Sequence, residues 1–283
     1  MRFTFRMSFV LLLCASGSVS ADDLPDIRSV PADIEIPVIS DGPPAPGKRV
    51  KLGANFLYLP SDWTRENKMP VLVELPGNAW KSPHGDVSSG LPEDCRLGYG
   101  LTEGRGAIWL SVPFLNAKGD KISSTWWGNA PDFEPQATIK ALRDAVGLVC
   151  AEYGGDESKV VLCGFSRGAI ACNYIGLYDD ETAKLWRAFV VCSHYDGTRR
   201  WVPGSERDDV LKRLSRLGKR PQLILGEAEN VPQTEAYLES LHLKGQFTFL
   251  KTGFRNHTDA WVLRPSVARD QARDWLKTNL GMR

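Results

Sequence analysis

Apolar residues fall along the chain in two alternating patterns. Short, nearly continuous apolar runs occupy residues 70–75, 106–112, 159–163, 186–192, 221–226 and 245–250. Runs of that length and continuity suit strands buried on both faces. Between them lie stretches with helical spacing. In 136–153, Ile139, Leu142, Val146 and Val149 share one face, and Gly154-Gly155 ends the pattern. Residues 168–177 read as a small-residue helix, 207–217 as an amphipathic helix closed by Gly218, and 232–241 as another. A last helix over 265–280 places Ala268, Ala272 and Trp275 on one face. Residues 50–59 alternate loosely and predict a single edge strand. Repeated strand–helix units predict an α/β fold, with a mostly parallel central sheet covered by helices on both faces. No internal repeat interrupts this series, so residues 49–283 read as one domain.

The amino-terminal residues break the pattern. Arg2 and Arg6 precede the apolar run 8–15, and Val19-Ser20-Ala21 offers small residues before a cut. Residues 1–21 therefore read as a secretory signal, too short for a stable membrane span. Cys14 raises a lipoprotein alternative, which the bulky Leu13 before it disfavours. Residues 22–48, rich in Pro and Asp, show neither period and read as an extended leader.

Composition narrows the classes of function. With 283 residues and a net charge of +1, the chain carries no basic footprint for nucleic acid. An exported chain meets an oxidising compartment. Cys95 and Cys150, in or near loops, are then the expected disulfide, while Cys163 and Cys192 fall on predicted buried strands. No cysteine has metal-ligand spacing, and neither metal nor organic cofactor is implied.

One stretch carries chemistry. Gly164-Phe165-Ser166-Arg167-Gly168 reads G-x-S-x-G between a predicted strand and a predicted helix. That is the context of a nucleophile elbow, where glycines remove collisions around a serine on a sharp turn. The alternative is a plain glycine turn with Ser166 as N-cap. A serine hydroxyl needs a base. His257, between the last strand and the last helix, is the candidate. His84 and His194 also follow predicted strands and are candidates for the cleft wall. The acid should follow the strand before the histidine. Glu229 is favoured there, then Glu227 in the same loop, then Asp196 after the preceding strand. Two N–H donors should hold the developing oxyanion, those of Arg167 and of Asn78 in the loop after 70–75. Trp80, Trp126, Trp127 and Trp201 fall in predicted loops. They suit a stacking platform for sugar or phenolic rings as well as a core.

With these residues in place, residues 50–280 resemble the α/β-hydrolase superfamily. The likeness is toward secreted carbohydrate esterases, polyester depolymerases and dienelactone-hydrolase-like enzymes. Pro76-Gly77-Asn78, Trp126-Trp127-Gly128 and Asn256-His257-Thr258-Asp259 also look like segments of a group of secreted bacterial hydrolases. The acid loop departs from the common pattern in carrying Glu rather than Asp. The resemblance implies a serine esterase acting on carboxylic esters, with acylated polysaccharides among the expected substrates. A peptidase or lactone hydrolase on the same fold, and a non-catalytic carbohydrate-binding relative, are the other readings.

Overall fold

The computed structural model describes residues 24–81, 87–243 and 245–282. The expected signal at 1–21, with Cys14, and His84 lie outside the described residues.

Strands and helices alternate as the sequence predicts. In chain order the strands are β1 (Ile39–Ser40), β2 (Arg49–Leu52), β3 (Asn55–Tyr58), β4 (Met69–Leu75), β5 (Ala79–Lys81), β6 (Val87–Ser89), β7 (Ile108–Ser111), β8 (Phe114–Leu115), β9 (Ile122–Ser123), β10 (Gly155–Phe165), β11 (Ala188–Cys192), β12 (Gln222–Gly226) and β13 (Phe247–Lys251). The helices are α1 (Leu97–Thr102), α2 (Gln136–Glu152), α3 (Arg167–Tyr174), α4 (Asp180–Ala183), α5 (Arg207–Leu214), α6 (Asn230–Ser240) and α7 (Val267–Leu280). Nine strands form one sheet in the order β1-β2-β3-β7-β4-β10-β11-β12-β13. From β7 to β13 every pairing is parallel, and only β3 runs against its neighbours β2 and β7.

Period-two alternation divides the central strands between two cores. Val71, Val73, Leu162, Val191 and Ile224 pack into one apolar cluster with residues of α2, α3 and α5. Leu72, Val161, Val190 and Leu223 face the other way and pack with residues of α1 and α7. Helices thus cover both faces.

Three expectations change. Residues 50–59 are not one strand, because the Gly53 backbone at φ +63° turns the chain between β2 and β3. Cys95 and Cys150 do not pair. Both are buried free thiols in separate clusters, Cys95 beside Tyr58 and Trp109 and Cys150 on α2 against β10. The leader from residue 24 onward is not a bare linker. It adds β1 to the sheet edge through β2 and buries Ile27 in the second core.

Candidate active site

Strand β10 ends at Phe165, and α3 begins two residues later at Arg167. Ser166 lies between them with φ 55° and ψ −113°. An L-residue held there costs about 1–3 kcal/mol, which the surroundings must impose. They do so through close approach. A Cβ on Gly164 would stand 2.3 Å from the Gly168 carbonyl carbon, and one on Gly168 would stand 2.0 Å from the Leu75 carbonyl oxygen. Glycine alone lets the strand end, the turn and the first turn of α3 fit together. The Ser166 amide donates to the Cys192 carbonyl at 2.9 Å, tying the elbow to β11.

His257 reaches this serine from the loop after β13. Its Nε2 is 3.1 Å from Ser166 Oγ. Its Nδ1 is 2.5 Å from Glu227 Oε1. Glu227, the first residue after β12, is 8 % exposed. Its Oε2 accepts the Ser193 hydroxyl at 2.6 Å, and its Oε1 also accepts the Asn230 amide at 2.8 Å. Burial opposes ionisation of Glu227. The hydrogen bond and charge of His257, with the Ser193 hydroxyl, outweigh it and hold the carboxyl below its ordinary value.

The carboxylate set against His257 is therefore that of Glu227, two residues before the Glu229 favoured from sequence. Glu229 makes no bond to His257 and instead occupies the N-cap position of α6. The third candidate, Asp196, is buried in a pair with Arg213, 2.9 Å from its Nε. Ser193 and Asn230 were missed. Ser193 sits at φ 80°, just past the end of β11, and nothing in its residue type marks it.

A cleft of about 320 Å³ opens over the serine, lined by Asn78, Ala79, Trp80, Ser88, Phe165, Ser166, His194 and His257. His194 is half-buried, with its ring centroid 4.9 Å from that of His257 and 4.7 Å from that of Trp201. Burial, then the neighbouring His257, push its pKa down to about 4. Trp80 stands edge-on to His257 at 5.5 Å and is 41 % exposed. Trp126 and Trp127 do not line this cleft. Trp127 is fully buried against Phe114 and Tyr174, and Trp126 packs edge-on against it, so the pair belongs to the first core. The aromatic wall expected of them is made by Trp80 and by His194 backed by Trp201.

Arg167 plays two parts. Its amide opens α3, where first-turn N–H groups have no partner within the helix. Its side chain is buried. The guanidinium donates to the Gly77 carbonyl at 2.6 Å, to Gly90 at 3.0 Å and to Ser123 at 3.3 Å, over the Phe114 ring at 4.0 Å. This ties the Pro76-Gly77-Asn78 turn to the start of α3. Among the described residues no cluster of His, Cys, Asp and Glu could hold a metal ion, and no helix is long and apolar enough to cross a membrane.

No family model matches the sequence, and no curated protein matches it. Solved structures do resemble it in three dimensions. Thermogutta terrifontis esterase 2 aligns over 79 % of this chain and 86 % of its own, with 16 % identity and a TM-score of 0.50. An esterase from the fungus Rhizomucor miehei aligns over 81 % and 79 %, with 13 % identity and a TM-score of 0.50. A dipeptidyl peptidase IV-like protein from Bacteroides ovatus aligns over 80 % of this chain but 33 % of its own, with 15 % identity and a TM-score of 0.51. The chain has the α/β-hydrolase fold. In that fold the carboxyl ends of β10, β11 and β12 and the loop after β13 meet at one edge of the sheet. Ser166, Ser193, Glu227 and His257 all lie there.

Proposed function

We propose that this protein is a serine esterase whose triad is Ser166, His257 and Glu227. One observation carries the reading: the unbroken contact series from Ser166 Oγ through His257 to a buried, ionised carboxylate, set on a strained strand–helix turn. His257 Nε2 takes the serine proton as Oγ attacks the ester carbonyl. Glu227 holds the Nδ1–H tautomer and stabilises the imidazolium. The Arg167 and Asn78 amides hold the oxyanion. The proton then passes from His257 to the leaving alcohol, and water attacks the acyl-enzyme by the same route in reverse.

The open cleft with aromatic walls suits an ester carried on a larger molecule, such as an acylated polysaccharide. The export signal expected at 1–21 agrees with a substrate outside the cell. A peptidase is the alternative on this fold, and one structural neighbour bears that description.

Paired p-nitrophenyl esters and aminoacyl p-nitroanilides separate the two. Turnover should be confined to the esters, and Ser166→Ala should lower it by roughly 10⁴-fold or more with little change in thermal unfolding. Anilide turnover exceeding ester turnover would move the protein to the peptidases. Ester turnover surviving in Ser166→Ala would remove the nucleophile altogether.

A further inference from the structure

The loop that carries His257 has little secondary structure of its own. Beyond the histidine, Asp259 pairs with Arg96 at 2.6 Å. Before it, the anchor comes from the other end of the chain. The Ile27 amide donates to Asn256 Oδ1 at 2.8 Å, on the residue next to the histidine. The Arg255 amide donates to the Pro25 carbonyl at 3.2 Å, and its guanidinium donates to Asp26 at 3.0 Å. Further along, Arg264 donates to the carbonyls of Ile27 and Val30, each at 2.9 Å. The Asp33 amide donates to the Leu263 carbonyl at 3.1 Å, and its carboxylate receives Arg269 at 2.7 Å.

These contacts are more than surface ion pairs. Asn256 is 8 % exposed and Ile27 is 3 % exposed, and Ile27 shares a core cluster with Phe254, Trp261 and Val262 from either side of the histidine. A buried amide bonded to a buried side-chain oxygen leaves two polar groups unsatisfied if either moves. Segment and loop therefore stay together or separate together. Nothing else among the described residues occupies the Asn256 acceptor.

We propose that residues 25–33 form a strap that positions His257 for proton transfer, making the amino-terminal segment a working part of the active site. The strap touches neither Ser166 nor the cleft wall. It acts through Arg255 and Asn256 on the register of the imidazole between Ser166 and Glu227. Its residues are positioning residues, and their loss should appear in kcat rather than KM. This inference rests on the proposed triad, and its test includes a readout that does not need turnover.

Two variants are compared with the full chain: a deletion through Asp33, and Asn256→Ala, which removes only the acceptor of the Ile27 amide. Both are followed with a short-chain p-nitrophenyl ester and by hydrogen exchange of the 254–258 backbone. The deletion should lower kcat by about 10²-fold, the scale of an ångström-sized misplacement, with KM changed by less than about threefold. A synthetic peptide of residues 24–36, added in excess, should restore most of the loss. Asn256→Ala should lose about tenfold in kcat, and exchange at 254–258 should quicken in both variants. A folded deletion variant with kcat within twofold of the full chain overturns the strap. If the deletion does not fold, Asn256→Ala decides alone, and unchanged kcat with unchanged exchange overturns it. A full chain inactive on every ester defeats the esterase reading instead, while the exchange comparison still reports on the strap.

Discussion

Glu227 is gripped by His257, Ser193 and Asn230, and this fixes both its charge and its direction. A neutral amide in the same space cannot stabilise an imidazolium. Glu227→Gln should therefore cut kcat by roughly 10³–10⁴-fold with little effect on KM, whereas Glu229→Gln should change either by less than about threefold. Steady-state kinetics on one ester decide between them. The sequence pointed to this loop, and the structure sets Glu227 rather than Glu229 against His257 for a geometric reason. Ala228 turns the chain at φ 41°, and α6 begins at Asn230 rather than at Pro232. The loop is too short to swing Glu229 back over the sheet edge. Ser166 and His257 were legible because each is the one residue of its kind in a segment that the strand–helix alternation places at that edge. His194 supports a prediction about pH. Its folded-state pKa of about 4 lies below the ordinary 6.5. Between those values the unfolded chain binds a proton that the folded chain refuses, so stability falls as pH drops through the window. His194→Gln removes that uptake. Its Tm should vary less than the parent's between pH 6.5 and 4.5, Glu227 contributing alike in both proteins. Parallel slopes in the two proteins would count against a desolvated His194.

Elements meet at the elbow with no room to spare. β4 and β10 are neighbours in the sheet, and α3 starts over the end of β4. The 2.0 Å approach that a Gly168 Cβ would make is to backbone, which cannot rotate aside. Gly168→Ala must push β4 and α3 apart by about an ångström. It should cost about 1–3 kcal/mol of stability as overpacking and, by moving the Pro76-Gly77-Asn78 turn, should lower kcat as well. Denaturant melts and kinetics on the same preparation check both. A variant as stable and active as the parent would mean that α3 can slide. The strand–helix series was readable because apolar continuity and helical spacing survive in single elements. The short β5–β6 and β8–β9 hairpins were not, since strands of two or three residues are too short to carry a usable period. The docking of residues 25–33 was hidden for another reason. It is built from backbone groups and from arginines more than two hundred residues away, and neither leaves a local pattern.

Over the whole molecule, the tryptophans separate what holds the fold from what faces the cleft. Sequence alone could not assign them, because a loop residue can cap a core as easily as line a site. Burial decides it. Trp127 is fully enclosed in the first core, between Phe114 and Tyr174. Trp80, on the small β5–β6 hairpin, projects beside His257 with 41 % of its surface open. Removing a buried indole takes away its transfer energy and leaves a cavity that the sheet and α3 cannot close. Trp127→Ala should therefore cost about 3–5 kcal/mol of stability. At a temperature where it remains folded, its KM for esters should stay within about twofold of the parent's. Trp80→Ala removes no core contact, so its stability should stay within about 0.5 kcal/mol. It strips one aromatic wall from the cleft, so KM should rise for an ester carrying a sugar or phenolic ring and change much less for a short aliphatic ester. The two variants thus make opposite claims on the same pair of measurements, Tm and the ratio of KM values for ring-bearing and aliphatic esters. If Trp80→Ala instead lowers Tm and leaves that ratio untouched, Trp80 is packing for the hairpin, and recognition must rest on His194, which Trp201 backs.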